Sequence, residues 1–192
     1  MVEVPEVGAF LLGAPKCGTT WLAEILTQHP EICVSDPKEP NIVASHKGTF
    51  GRDDSEPDWV EYADCFNGDG LRIDCSVHAM ACPVAPLRVA NNWPNARLII
   101  CLREPVSRTV SHWNMILDTK EDSENGADWS DFRSAWEDSR LSDDTLYGAA
   151  VERWLEHFER DSILLIEANR MRHEASMVLE EVCNHLSISS HS

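Results

Sequence analysis

The stretch that decides the fold is VGAFLLGAPKCGTTWLAEIL, residues 7–26. Its first six residues form an apolar run typical of a buried strand, and Gly13 and Gly18 bracket a short loop after it. Trp21 and Ile25 then follow at helical spacing. The order strand, glycine-bearing loop, helix predicts an anion-binding loop, because backbone N–H groups and a helix N-terminus converge there on a phosphate.

A second unit of the same kind follows at residues 96–102, ARLIICL, a continuous apolar run typical of a parallel strand buried on both faces. This strand ends at Arg103, and Pro105 can occupy the first turn of the next helix. Further predicted strands are residues 32–34, 71–74 and 162–168, and further predicted helices are a short one between residues 57 and 67, then residues 85–92, 149–158 and a last one ending at Leu186.

This alternation predicts an α/β fold of three layers, with a mainly parallel sheet and helices on both of its faces. Ligands bind such sheets at the carboxyl ends of the strands, where both loops lie. The length of 192 residues suits a single domain over residues 1–192. Within it we expect an acidic insertion at 118–145, solvated except for one packed helical face with Trp129, Phe132 and Trp136, and a frayed tail at 187–192.

The chain is strongly acidic, with 16 Lys and Arg against 33 Asp and Glu and a formal net charge of -17. A nucleic-acid partner is therefore not expected. The 9 basic and 15 acidic residues before position 113 leave a smaller deficit than the 7 and 18 after it, so an anion site is expected in the first part. Seven scattered cysteines without a C-x-x-C pair indicate reduced thiols and no zinc site.

The loop departs from the usual nucleotide-binding pattern, because the Lys-Ser/Thr pair that should follow the second glycine is absent. Its lysine, Lys16, lies inside the loop, where an ammonium could stabilise charge developing on a bridging oxygen. A Mg-nucleotide site is not supported. A P-loop nucleotide or small-molecule kinase therefore stays an alternative of lower rank.

Residues 15–22, PKCGTTWL, resemble the 5′-phosphosulfate loop of the sulfotransferase family, whose fold is similar to that of P-loop nucleoside triphosphatases. The resemblance implies 3′-phosphoadenosine 5′-phosphosulfate as donor, held by Lys16, Cys17, Gly18, Thr19 and Thr20, without a metal. The family's second signature, a strand-end Arg followed eight residues later by Ser, is matched by Arg103 and Ser111. These two residues would hold the donor's 3′-phosphate, since a guanidinium fork and a hydroxyl suit a phosphate dianion.

The segment PKEPNI, residues 37–42, is closest to the carbohydrate-sulfating, heparan-type branch of the family. That resemblance implies Glu39 as catalytic base, with Lys38 beside it and Lys16 stabilising the transferred group. A histidine base, His46 or His78, is the competing assignment, since another branch uses histidine. Trp21 matches a position that stacks on adenine, but its place on the apolar stripe of the helix makes core packing equally compatible.

For Cys17 the sequence favours a small space-filling residue over a low-pKa thiolate. Trp154 and Leu155 are expected in the core of their helix.

The resemblance implies transfer of a sulfuryl group to a hydroxyl or amine, of a carbohydrate or of a small alcohol or phenol. Family members commonly continue into a basic loop that closes over the donor, and this chain ends before it, so the fold is expected to be C-terminally short. A truncated, non-catalytic nucleotide-binding relative is a further alternative. The N-terminus lacks signal-peptide features and no apolar run reaches the ~18 residues that span a bilayer. We expect a soluble chain, cytoplasmic by default or Golgi-lumenal if an anchor is missing; the oligomeric state is left open.

Overall fold

The computed structural model describes residues 3–44, 46–47, 51–52, 55–119 and 128–189, with the backbone alone at 46–47, 51–52 and 139–140. The strands in these ranges are β1 (Ala9–Gly13), β2 (Ile32–Val34), β3 (His46–Lys47), β4 (Gly51–Arg52), β5 (Leu71–Asp74), β6 (Arg97–Leu102) and β7 (Ile163–Glu167). The helices are α1 (Thr19–Leu26), α2 (Trp59–Asp64), α3 (Ala85–Asn92), α4 (Pro105–Thr119), α5 (Phe132–Glu137), α6 (Ser139–Ser142), α7 (Tyr147–Leu155), α8 (Arg170–His173) and α9 (Ala175–Leu186). Short 3₁₀ turns cover Val77–Ala79, Asp143–Thr145 and Arg160–Ser162.

Five strands form one parallel sheet in the order β2-β5-β1-β6-β7. The chain moves from β1 to one side of the sheet and returns across β1 to reach β6 and β7 on the other side. Since right-handed crossovers in opposite directions place their helices on opposite faces, this order produces the predicted three layers. The same reversal opens a crevice at the carboxyl ends of the central strands. We call the side of the sheet where these strands end the carboxyl edge.

The central strands form in runs that are apolar at nearly every position, because a strand covered on both faces has no solvent side. All five residues of β1 are buried, and β6 is fully buried from Leu98 to Cys101. Phe10 of β1 packs against Trp93, with ring centroids 5.3 Å apart, and Trp93 also contacts Tyr62 of α2 at 5.9 Å. This aromatic cluster attaches α2 and the end of α3 to the sheet.

Most predicted elements are confirmed, including β2, β5, α3 and α4 with Pro105 as its first residue. The hairpin of β3 and β4 was not predicted, because two-residue strands leave no periodic pattern in the sequence.

The predicted tail begins too early. Ile188 packs against the core, the carbonyl of Ser189 lies 2.9 Å from His29 Nε2, and the Ser189 hydroxyl donates to Glu31. The remaining tail residues, 190–192, lie outside the described residues.

The acidic insertion is more packed than its composition suggests, although residues 120–127 lie outside the described residues. Trp129, Ala135 and Leu141 form a small second core with Ile116 of α4. The prediction that one helical face is packed is wrong for the two aromatic residues of α5, since Phe132 is 39% and Trp136 38% exposed. The α5 residue that is buried is instead Ala135, because its small side chain allows the helices to pack closely.

None of the described helices is both long and apolar enough to cross a membrane.

Trp154 and Leu155 of α7 were both expected in the core, and this is correct only for Trp154. The Trp154 side chain is fully buried and its indole N–H donates to the carbonyl of Met80 at 3.1 Å, whereas Leu155 is 41% exposed.

We therefore expect Trp154→Ala to lower the free energy of unfolding by about 3–5 kcal/mol, since it leaves a large cavity and an unsatisfied carbonyl. The matched control, Leu155→Ala, should cost less than about 1 kcal/mol. Urea denaturation followed by circular dichroism measures both. Equal losses for the two variants would contradict this packing of α7.

Candidate active site

The end of β1 approaches the chain after β5 so closely that the last residue of the strand has to be glycine. Gly13 has φ +133°, and a Cβ there would lie 2.3 Å from the carbonyl oxygen of Val77. The amide of Met80 donates to the carbonyl of Leu12 at 2.9 Å, which holds the two segments together. Lys16 and Gly18 also have positive φ, 67° and 84°. This backbone wraps the loop tightly at the carboxyl edge.

The two helices that begin at the carboxyl edge differ in how their first amides are used. At the N-terminus of α1, Gly18 provides no side-chain cap and the first turn holds no acidic residue. At the start of α4, the Glu104 carboxylate accepts from the amides of Val106 and Ser107 at 2.9 and 2.7 Å. These amides, that of Ser107 first, lower the pKa of Glu104. The positive end of the α1 dipole is thus left for an external anion, whereas that of α4 is already neutralised.

The structure brings the second motif to the phosphate loop. Arg103 follows β6, and Ser111 lies on α4 one turn before Met115, so both α4 residues share a face. The Lys16 ammonium lies 3.4 Å from the Met115 sulfur. Burial raises the pKa of the Cys17 thiol, and the positive charge of Arg103 is close enough to act in the opposite direction. The segments that carry Lys16, Arg103 and Ser111 therefore meet at the carboxyl edge.

Lys38 and Glu39 lie on a loop docked against the end of β5. The Ser35 hydroxyl donates to the carbonyl of Lys38 at 2.9 Å and accepts from the amide of Cys75 at 3.3 Å. The Lys38 ammonium donates to Glu39 Oε1 at 2.6 Å. Burial raises the pKa of the Cys101 thiol in β6, and the positive charge of Lys38 acts to lower it. Lys38 is therefore close enough to β6 for its charge to be felt there. The PKEP segment thus lies at the same edge as the phosphate loop.

Of the two histidines considered as bases, the His46 side chain lies outside the described residues. His78 belongs to the 3₁₀ turn that contacts Gly13, and its side chain is 12% exposed. Its Nδ1 lies 3.8 Å from Oδ2 of the buried Asp144. This geometry leaves His78 near the phosphate loop but directed in part towards an internal carboxylate.

The remaining predicted loop residues differ in exposure. Cys17 is fully buried and burial raises the pKa of its thiol, in agreement with the space-filling role. Thr19 is buried and Thr20 exposed at the start of α1. Trp21 is partly buried and packs against the core, which accommodates either of its two predicted roles.

Sequence reasoning missed a buried polar network beside the loop. The guanidinium of Arg108 in α4 is fully buried and donates to the carbonyl of Leu141 at 2.8 Å and to Thr145 Oγ1 at 2.6 Å. Burial lowers the pKa of Arg108, and the negative charge of Asp144, which is also buried, acts to raise it. The hydroxyl of Tyr147 donates to the carbonyl of Arg103 at 3.0 Å. The only signal in the sequence was a charged residue, Arg108, within an otherwise amphipathic helix.

The strand-end carboxylate that a Mg-nucleotide site would use is already engaged. Asp74 ends β5 next to β1, and its side chain accepts from the Tyr62 hydroxyl and from the Ser76 amide, both at 2.8 Å. Burial raises the pKa of Asp74. Across the described ranges, no group of three or more His, Cys, Asp or Glu side chains is arranged to hold a metal ion.

The parallel sheet and the glycine-bracketed loop between β1 and an uncapped α1 define a P-loop-type α/β protein. More narrowly, residues 8–192 match the model of the sulfotransferase domain, and the chain belongs to that family. It is 24% identical to mouse heparan sulfate glucosamine 3-O-sulfotransferase 3A1 over 196 residues, which cover 97% of this chain and 46% of that protein. It is 27% identical to mouse bifunctional heparan sulfate N-deacetylase/N-sulfotransferase 3 over 198 residues, 94% of this chain and 22% of that protein. The chain thus spans less than half the length of either relative.

Solved structures agree with the fold. The crystal structure of a sulfotransferase from Alicyclobacillus acidocaldarius superposes with a TM-score of 0.82 at 24% identity, covering 98% of this chain and 84% of that one. The mouse sulfotransferase SULT7A1 complexed with PAP gives a TM-score of 0.64 at 19% identity, covering 98% of this chain and 60% of that one.

Proposed function

We propose that this protein transfers the sulfuryl group of 3′-phosphoadenosine 5′-phosphosulfate to a hydroxyl or amine of a carbohydrate. The observation that carries the proposal is the contact of Lys16 with the Ser111 face of α4 through Met115. It brings the phosphate loop and the Arg103–Ser111 motif together, as a donor with phosphates at both ends of its ribose requires.

In this proposal the donor's 5′-phosphate is bound by the amides of the loop and of the first turn of α1, with Thr19 and Thr20. The absence of a capping side chain on α1 supports this assignment. The 3′-phosphate is bound by the guanidinium of Arg103 and the hydroxyl of Ser111. Cys17 contributes through its backbone, since its side chain is buried beneath the loop.

The chemistry follows from where the charged groups lie. Glu39 takes the proton of the acceptor hydroxyl or amine as its oxygen or nitrogen bonds to sulfur. The bond between sulfur and the bridging oxygen of the 5′-phosphate breaks, and 3′-phosphoadenosine 5′-phosphate leaves. Lys16 stabilises the charge that develops on that bridging oxygen, and Lys38 stabilises the equatorial sulfuryl oxygens. Lys38 is paired with Glu39 at 2.6 Å and must exchange part of that contact for the sulfuryl group.

The carbohydrate acceptor is proposed from two observations. The PKEP loop that carries Glu39 lies at the carboxyl edge, and the curated relatives act on heparan sulfate by their names. The net charge of -17 disfavours a heavily sulfated polyanion, because its approach would be repelled. A glycan of low charge is the class that fits both.

Donor binding can be tested by calorimetry with 3′-phosphoadenosine 5′-phosphate and, separately, with ATP and Mg²⁺. We expect the bisphosphate to bind and ATP with Mg²⁺ to bind far more weakly. Arg103→Ala should weaken bisphosphate binding about 10- to 100-fold, since it removes charged hydrogen bonds of about 1.5–3 kcal/mol. Arg172→Ala, on the exposed part of α8, serves as the surface-arginine control. Tight ATP binding without response to the bisphosphate would favour the kinase alternative.

The base can be tested by Glu39→Gln, which keeps the shape of the side chain and removes its basicity. We expect kcat to fall by about two to four orders of magnitude while bisphosphate affinity changes little. Glu180→Gln on the exposed face of α9 is the control for a surface amide. If Glu39→Gln retains turnover and His78→Gln loses it, the base is the histidine instead.

A further inference from the structure

One hydroxyl, that of Tyr147, contacts both segments to which the proposed function assigns the donor's phosphates. Tyr147 is the first residue of α7, and its hydroxyl donates to the main-chain carbonyl of Arg103 at 3.0 Å. The same oxygen lies 3.7 Å from the Cys17 sulfur. Since a carbonyl can only accept, the tyrosine proton is committed to Arg103.

The Arg103 carbonyl lies where the sheet no longer fixes the backbone. The β6–β7 ladder ends with the bond from the Ala168 amide to the Leu102 carbonyl at 2.7 Å. Arg103 follows that bond, and α4 begins two residues later, at Pro105. A hydrogen bond to this carbonyl therefore sets the direction in which the Arg103 side chain leaves the sheet.

Tyr147 is itself held in place by α4. Arg108 donates to the Leu141 carbonyl and to Thr145, which fixes the segment directly before Tyr147. Thr109 Oγ1 lies 3.0 Å from Thr145 Oγ1 and adds a second link from the same helix. Burial raises the pKa of Tyr147, so its hydroxyl keeps the donated proton throughout the physiological pH range.

We propose that Tyr147 is a positioning residue that holds Arg103 at the correct distance from the phosphate loop and so establishes selectivity for a donor with a 3′-phosphate. This rests on the proposed function. The tyrosine acts through Arg103 and touches no substrate atom. Its removal should weaken ligands that use Arg103 and spare those that use only the phosphate loop.

The test compares two ligands, 3′-phosphoadenosine 5′-phosphate and adenosine 5′-phosphate, which differ only in the 3′-phosphate. In Tyr147→Phe the ratio of their affinities should fall about tenfold, the value of one lost hydrogen bond, with adenosine 5′-phosphate binding nearly unchanged. Val151→Ala, on the same helix and packed against the core, is the control for a loss of packing alone. It should leave the ratio unchanged even where thermal stability falls.

A double-mutant cycle with Arg103→Ala separates positioning from a structural role. The tyrosine's carbonyl partner is main chain and survives that substitution, so the contact remains while the guanidinium is gone. Tyr147→Phe should then change the ratio no further.

Two results would overturn the role of Tyr147. One is an equal loss of affinity for both ligands in Tyr147→Phe, and the other is the same tenfold fall in the affinity ratio when Tyr147→Phe is introduced into Arg103→Ala. A wild-type protein that does not distinguish the two ligands would instead overturn the proposed donor. If Tyr147→Phe proves too unstable to measure, Tyr147→Leu provides the same comparison with an apolar side chain that has no hydrogen-bond donor, and an unchanged ratio there counts against the proposal.

Discussion

The close approach of Gly13 to the carbonyl of Val77 is the constraint on which the site depends. Because Gly13, the last residue of β1, has no Cβ, the end of the strand can pack against the 3₁₀ turn after β5, and the Met80 amide joins the two segments at the Leu12 carbonyl. This contact fixes where β1 ends and where the amides before α1 point. It also places His78 and the PKEP loop beside the phosphate loop.

Electrostatics impose the second condition, since the proposed function requires an acidic protein to bind an anion. A field of net charge -17 repels a bisphosphate, so affinity must come from a few groups at short range. Such groups are the uncapped amides of α1, Lys16 and Arg103, whereas the first amides of α4 are already bonded to the Glu104 carboxylate. Arg108 and Asp144 are both buried, and the opposite charge of Asp144 offsets part of the cost of burying the Arg108 guanidinium.

The fold could be predicted because the patterns of its strands and helices are local in the sequence. The two proposed donor motifs are local as well, and their donor-binding role stays a prediction. A phosphate loop needs its glycines and lysine within a few residues, and Arg103 and Ser111 share one strand–helix unit. The network of Arg108, Asp144 and Tyr147 could not be predicted in this way, because its bonds join segments more than thirty residues apart.

Burial was the other property that pattern alone did not settle. The acidic composition of residues 118–145 indicated solvent, yet Asp144 is buried. Helical spacing placed Leu155 and Phe132 in the core, yet both are exposed, because neighbouring elements cover only part of each apolar stripe. The final arrangement of neighbours decides these positions.

The most direct measurement of the central claim is transfer of radiolabelled sulfate from 3′-phosphoadenosine 5′-phosphosulfate to a panel of acceptors. The panel should contain unsulfated and sulfated glucosamine-containing oligosaccharides and a small phenol. We expect label on a glycan of low charge, with one 3′-phosphoadenosine 5′-phosphate released for each sulfate transferred. Normal binding of the donor with no label on any acceptor would contradict it and would indicate a nucleotide-binding protein without turnover.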